Sequence, residues 1–135
     1  MTDFVVDTDV VSYQHRSSPS FAPYASDLKD AHVVISFMTY AELLGWGKQN
    51  GWGERRLQDL RQDVKSRYVI FQVSDALCEI WADVKRQGRE KGRPIATSDA
   101  WIAATAIFLD APLITNNRRD YDSIDGLQLI SHAPE

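Results

Sequence analysis

Four acidic residues occupy positions at which carboxylates could carry out chemistry. Each follows a short apolar run or begins a long apolar segment: Asp7, Glu42, Asp99 and Asp120. Carboxylates that converge repel one another unless they are protonated or share a cation. Oxygen ligands without neighbouring cysteine or histidine suit Mg²⁺ or Mn²⁺ rather than Zn²⁺. A cation held in this way could activate water for attack on a phosphodiester bond.

Local structural roles could also explain these acids. Asp7 could form a turn or cap a helix, and Asp99 in a first helical turn would interact favourably with the helix dipole. Thr39 and Glu42 have the spacing of a capping box. If Ser36 caps that helix instead, Glu42 lies in the second turn and is free to face a crevice. Convergence therefore depends on the elements that carry the four acids.

Five short apolar runs predict strands that are covered on both faces: residues 4–6, 32–36, 68–73, 112–115 and 127–130. Helical patterns separate them. Segment 54–66 has a weak apolar stripe, a second helix begins after a Ser74 cap and ends near Gly88, and segment 100–109 is apolar nearly all round. This alternation predicts an α/β domain with a mostly parallel sheet. In such a sheet the functional crevice lies at the carboxyl ends of the strands.

Composition limits the class of protein. The chain has 135 residues and a formal net charge of −4, which predicts one domain over residues 1–135 and argues against a broadly basic nucleic-acid or membrane surface. Without the four candidate acids, the remaining acidic residues would equal the 15 basic ones. The single cysteine, Cys78, is expected to be a packed thiol. With no signal peptide or membrane span evident, a cytoplasmic location is expected.

An ordered set of motifs gives a more specific indication. They lie at residues 7–12 (DTDVVS), 35–44 (ISFMTYAELL), 92–95 (GRPI), 99–106 (DAWIAATA) and 115–121 (TNNRRDY). With this set the chain resembles PIN-domain ribonucleases of the VapC toxin family, the toxic half of bacterial toxin–antitoxin pairs. The resemblance implies a three-layer α/β/α domain with a mostly parallel sheet of about five strands.

The resemblance also implies roles for individual residues. It assigns Asp7, Glu42 and Asp99 to binding of Mg²⁺ or Mn²⁺ and to catalysis, with Asp120 as the fourth acid, although Asp122 remains an alternative. Four residues would support this cluster: Thr8, Ser36, Thr115 and Asn117. Asn117 and Thr97 stand where the family often has acids. The number of bound metal ions, one or two, therefore remains open. The expected activity is endoribonucleolytic hydrolysis that leaves 3′-hydroxyl and 5′-phosphate ends.

Basic and aromatic residues suggest partners. Arg93, Arg118 and Arg119 are candidates for RNA contact or for pairing with the acids, whereas an exposed helix end explains the more distal cations of segment 85–93. The resemblance implies an RNA substrate, a VapB-like antitoxin and a homodimer. Trp46 and Trp52 could serve the core, the dimer interface or the antitoxin interface.

Two other functions remain possible from the residues alone. The Asp7-Thr8-Asp9 sequence after a strand also resembles a haloacid-dehalogenase-type phosphatase, with Asp7 as nucleophile and Asp9 as acid. That interpretation leaves Glu42 without a role. The second alternative is a catalytically inert PIN-like binding module, which the presence of all four acids argues against.

Overall fold

A parallel five-stranded sheet forms the centre of the structure, a computed structural model that describes residues 3–134. Its strands are β1 (Asp3–Val6), β2 (His32–Ser36), β3 (Val69–Phe71), β4 (Leu113–Ile114) and β5 (Leu129–Ile130). They lie in the order β3-β2-β1-β4-β5, and every neighbouring pair is parallel. Met1, Thr2 and Glu135, which the predicted domain includes, lie outside the described residues.

Six α-helices surround this sheet: α1 (Thr8–His15), α2 (Ala22–Leu28), α3 (Phe37–Gln49), α4 (Glu54–Arg67), α5 (Asp75–Glu90) and α6 (Thr97–Leu109). Short 3₁₀ turns occur at Pro19–Phe21 and Arg118–Asp120. Within residues 3–134, none of the helices has the length and apolar character needed to span a membrane.

The central strand β1 supplies one buried side chain to each of two cores. Val5 and Val6 are both fully buried but point to opposite faces of the sheet. Val5 packs in a cluster with residues of α5 and α6, including Val84 and Ile102. Val6 packs in a second cluster with residues of α1, α2, α3 and α4, including Leu60. The predicted three-layer α/β/α fold with a parallel sheet is therefore confirmed.

The predicted elements differ from the observed ones mainly at their ends. Segment 68–73 forms only the strand Val69–Phe71. Ser74 caps α5 by accepting a hydrogen bond from the Leu77 amide, and the helix continues past Gly88 to Glu90. The expectation of a packed Cys78 thiol is wrong, because Cys78 is exposed. It follows the fully buried Leu77, and one helical step turns its side chain away from the core.

Gly88 allows a loop to pack directly on α5. It is buried, and its carbonyl accepts a 2.8 Å hydrogen bond from the Arg93 amide. A Cβ atom at this position would lie 2.8 Å from the Arg93 carbonyl oxygen and 3.2 Å from the Ile95 amide nitrogen. Because both atoms belong to the backbone, the loop itself would have to move.

We therefore expect Gly88→Ala to lower the free energy of unfolding by about 1–3 kcal/mol, the usual cost of overpacking. Gly45→Ala is the matched control, because Gly45 is also helical and a Cβ there meets no atom within 4 Å. That change should stabilise the protein by about 0.5–1 kcal/mol. Urea denaturation of both variants measures the difference, and an equal effect of the two changes would contradict this account of the loop.

Candidate functional site

Asp7 lies at the carboxyl end of β1, where it caps α1. Its side chain is only 5% exposed. One carboxylate oxygen, Oδ1, accepts from the Thr8 amide at 2.7 Å, and Oδ2 accepts from the Thr115 hydroxyl at 2.7 Å. Burial raises the pKa of Asp7 to about 7, and the negative charges of Asp9 and Asp99 act in the same direction. Asp7 is therefore oriented by two donors in a setting that disfavours its charge.

Glu42 reaches the same sheet edge from α3. Ser36 caps this helix by accepting from the Met38 amide at 3.0 Å, so the interpretation of Thr39 and Glu42 as a capping box is wrong. Thr39 instead lies inside the helix, with its hydroxyl 3.0 Å from that of Thr8. The Thr8 hydroxyl donates to Glu42 Oε1 at 2.9 Å. Burial, followed by the negative charges of Asp99 and Asp9, raises the pKa of Glu42.

Asp99 approaches from the first turn of α6. Its Oδ1 accepts a 3.1 Å hydrogen bond from the hydroxyl of Tyr121, which is fully buried. Burial raises the pKa of the Tyr121 hydroxyl, with further contributions from Asp7 and Asp99, so this group stays protonated and acts as a donor. Burial also raises the pKa of Asp99, as do the charges of Asp120 and Asp9.

Asp120 and Asp122 lie in different environments. Asp120 ends the 3₁₀ turn after β4 and lies close enough for its charge to raise the pKa of both Asp9 and Asp99. Asp122 forms a 2.8 Å ion pair with Arg93. Asp120 thus lies beside the other acids, whereas Asp122 is held by a cation.

Asp9 is a fifth acid, which sequence reasoning did not place in this cluster. It lies in the first turn of α1 and accepts a hydrogen bond from the Asn117 side-chain amide. Its charge raises the pKa of Asp7, Glu42 and Asp99. The Asp7-Thr8-Asp9 spacing is a usable signal for this position, although in the sequence it also fits the phosphatase alternative. Tyr121 was also missed, because a tyrosine within a motif of acids gives no sign of being a buried donor.

The predicted supporting residues act in different ways. Thr8 and Thr115 donate directly to Glu42 and Asp7. Asn117 links the two loops: its backbone amide donates to the Thr115 hydroxyl at 3.0 Å and its side chain to Asp9. Ser36 contributes through the cap of α3, which sets the direction of the helix that carries Glu42.

The donor set suits a hydrated divalent cation. All five acids offer oxygen atoms, and a positive charge among them would offset the burial and mutual repulsion that raise their pKa values. Within residues 3–134, no three acidic, histidine or cysteine side chains are close enough to enclose a metal ion. Mg²⁺ commonly binds through one or two carboxylates and keeps several waters, so the arrangement fits this cation without a closed protein cage.

Two adjoining crevices open beside the acids. The larger, about 850 Å³, is lined by residues 116–120 and by the C-terminal segment near Ser131. The smaller, about 320 Å³, is lined by Asp99, Asp120, Arg93 and Arg119 among others. Of the predicted RNA-contacting arginines, Arg93 is engaged by Asp122 and also donates to the Arg119 carbonyl at 3.0 Å.

Arg118 and Arg119 differ from Arg93 in having no ion pair with any residue in 3–134. Both are exposed at the wall of the larger crevice. Their guanidinium groups can therefore meet an anion that enters it.

The tryptophans form two groups. Trp81 is partly buried and stacks on Trp101 at a ring-centroid distance of 5.1 Å. Trp46 is 37% exposed and meets Trp52 at 5.0 Å. Arg56 lies over the Trp52 ring at 3.7 Å from its centroid, so one face of Trp52 is covered within the chain and Trp46 remains the exposed member.

Comparison with known proteins points to one family. A sequence model of the PIN domain matches residues 4–127. Ribonuclease VapC1 of Haemophilus influenzae (strain R2866) is 31% identical over 129 residues, covering 93% of this chain and 94% of that protein. The tRNA(fMet)-specific endonuclease VapC of Shigella flexneri is 24% identical, covering 95% and 96%.

Solved structures give the same result. VapBC2 from Rickettsia felis, bound to a DNA fragment from its promoter, matches with a TM-score of 0.82 at 23% identity over 96% of this chain and 98% of that chain. VapBC-1 from nontypeable Haemophilus influenzae matches with a TM-score of 0.80 at 26% identity over 96% and 98%. VapBC-5 from Mycobacterium tuberculosis, a member of the VapBC family of toxin–antitoxin systems, has a TM-score of 0.68 at 23% identity over 97% and 99%.

Proposed function

The chain belongs to the PIN domain family, and on that basis we propose that it is a VapC-like toxin, an endoribonuclease that a cognate VapB-like antitoxin inhibits. The observation that carries this proposal is that Thr8 bonds both Asp7 and Glu42 at one sheet edge, where the charge of Asp99 raises the pKa of each. It occurs in a chain that aligns with a VapC ribonuclease over 93% of its length. Residues 1–135 would form the single catalytic domain.

Four acids would hold the metal, one or two of them directly and the others through its bound waters: Asp7, Glu42, Asp99 and Asp120. Bound Mg²⁺ or Mn²⁺ supplies Lewis acidity that activates water and stabilises negative charge developing on the phosphodiester. The chain's own contribution is to fix the carboxylates. Thr115 and the Thr8 amide hold both oxygens of Asp7, and Tyr121 holds one oxygen of Asp99. Such fixed donors lower the reorganisation needed during reaction.

Glu42 would complete the metal shell or accept a proton from the attacking water. It is half-buried with a raised pKa, which brings a carboxylate closer to the range useful for a general base. The Thr8 hydroxyl occupies Oε1 of Glu42 and leaves the second oxygen for this task. Attack by water forms no covalent intermediate, in contrast to the phosphatase alternative, in which Asp7 would be the nucleophile. The family resemblance implies that the 3′-oxygen is the leaving group, which gives 3′-hydroxyl and 5′-phosphate ends.

Exposed side chains and the structural relatives together suggest the partners of the protein. Arg118 and Arg119 at the crevice would contact RNA phosphates, which the acids alone would repel. The VapBC complexes among the structural relatives support an antitoxin partner. A homodimer is the expected assembly of the toxin, and exposed Trp46 is a candidate contact for either protein partner.

Expression in bacteria tests the proposed function. We expect the wild-type chain to arrest growth and co-expression of its cognate antitoxin to restore it. Asp99→Asn should remove the arrest, because it takes a charged oxygen from the proposed metal site. Asp59→Asn, an exposed acid on α4, is the matched control and should remain toxic. Growth that is unaffected by the wild-type chain at a verified protein level would overturn the proposal.

A further inference from the structure

Three crevices adjoin one another along a surface that extends beyond the acids. The crevice of about 320 Å³ beside Asp99 shares Arg119 and Asp120 with the larger one. It also shares Pro94 and Ile95 with a third crevice of about 300 Å³. We call this series the groove; its outer members are lined by the C-terminal segment and by the C-terminal half of α5.

The far end of this groove is basic. Its walls are Lys85, Arg86 and Arg89 of α5, together with Pro94 and Ile95. Segment 85–93 as a whole carries five basic residues and one acid. The negative end of the helix dipole accounts for cations in the last turn of α5, but it does not account for a basic crevice that adjoins the one beside Asp99.

The two arginines are available to an anion. Among residues 3–134, Arg89 makes no ion pair. Arg86 pairs with Asp83 at 3.7 Å and Glu90 at 3.0 Å, and all three side chains are more than half exposed. Exposed pairs of this kind contribute little to stability, so a phosphate can replace the carboxylates at low cost.

The loop between the two ends of the groove is fixed. Lys85 Nζ donates to the Ile95 carbonyl at 2.7 Å, and the Arg93 amide donates to Gly88. Lys91 Nζ forms a 2.7 Å ion pair with Asp125 beyond the loop. The spacing between the acids and the basic end is therefore built into the fold.

We propose that Arg86 and Arg89 form a distal RNA subsite that binds phosphates several nucleotides from the scissile bond. The inference rests on the proposed ribonuclease function and names where its substrate extends. An acidic centre weakens phosphate binding at the cleaved bond, so cations further along the strand would add to the affinity that Arg118 and Arg119 supply. The three cationic side chains that line this crevice, with no acid among them, favour a polyanion over an apolar protein segment.

The test uses an RNA that the wild-type protein cleaves, in its full length and as a short oligoribonucleotide spanning only the cleaved bond. We expect the double variant Arg86→Gln/Arg89→Gln to raise KM for the full-length RNA about tenfold at moderate salt, with kcat unchanged. The slope of log KM against log salt concentration should decrease by about 1–1.5, because two phosphate contacts with a single strand are lost. On the short RNA the variant should match the wild type.

Lys48→Gln/Arg55→Gln is the control, since it removes the same charge from exposed positions on α3 and α4. Equal effects of the two double variants, or an equal loss on both RNAs, would overturn the subsite. Unchanged RNA kinetics with weakened antitoxin binding would show a protein interface instead and would also overturn it. If the wild type cleaves no RNA, the proposed function fails and this inference with it, whereas cleavage with an unchanged KM in the Arg86/Arg89 variant overturns the inference alone.

Discussion

Asp7→Asn is expected to lower RNA hydrolysis by at least about 1,000-fold while the protein remains folded. Asparagine keeps the shape of Asp7 but removes the negative charge that would bind the metal ion. Its amide oxygen can still accept from the Thr8 backbone, and its amide nitrogen can donate to the Thr115 hydroxyl, which now bonds Asp7. Cleavage rates under single-turnover conditions measure the loss.

Stability separates this effect from misfolding. The metal-free Asp7→Asn variant should be more stable than the wild type at pH 8, because it no longer buries a charge that burial disfavours. Asp59→Asn should retain wild-type cleavage and stability. A variant that keeps more than about a tenth of the wild-type rate would remove Asp7 from the metal site.

The metal-free wild-type protein is expected to lose stability as the pH rises from about 4 to above 7. Asp7 has a pKa of about 7 in the folded protein, against 3.8 for a free aspartate side chain. Between these values the folded state binds a proton that the unfolded state has released, so the free energy of unfolding falls with increasing pH. Three pKa units correspond to about 4 kcal/mol. Asp9, Glu42 and Asp99 shift in the same direction.

Thermal denaturation in chelator at pH 5 and pH 8 measures this dependence. The melting temperature should be higher at pH 5, and Asp7→Asn should reduce the difference. Added Mg²⁺ should restore stability at pH 8, by about 2.7 kcal/mol at a concentration one hundred times its dissociation constant. A metal-free protein that is more stable at pH 8 than at pH 5 would contradict the burial of Asp7 as a costly charge.

Sequence reasoning located the sheet edge and the acids on it for a physical reason. Buried parallel strands are continuous β-branched runs, and their carboxyl ends lie together, so Asp7 and the helix that carries Glu42 were predicted to meet. Of the residues that it missed, Asp9 follows Asp7 by two positions in the first turn of α1, so local spacing could have found it. Tyr121 depends on a contact between distant parts of the chain, since it supports Asp99 only because the loop after β4 folds back toward α6.

The other differences depend on where each residue lies within its own helix or loop. Cys78 follows Leu77 in α5, and its exposure depends on which face of the helix meets α6, which the residue type alone does not reveal. The choice between Ser36 and Thr39 as the cap of α3 likewise depended on where β2 ends. Asp120 and Asp122 are the same type of residue, so residue type could not show which of them faces the other acids. In the structure they differ because Arg93 forms an ion pair with Asp122.

Metal-dependent RNA hydrolysis by the carboxylate cluster is the central claim, and the ends of the RNA products test it most directly. Purified, antitoxin-free protein would be incubated with bacterial RNA in Mg²⁺ or in chelator, and the new ends would be identified by their chemistry. We expect cleavage in Mg²⁺ only, with 5′-phosphate and 3′-hydroxyl ends. Cleavage that continues in chelator, or products with 2′,3′-cyclic phosphate ends, would contradict the account, since those ends arise when the RNA's own 2′-hydroxyl attacks instead of water.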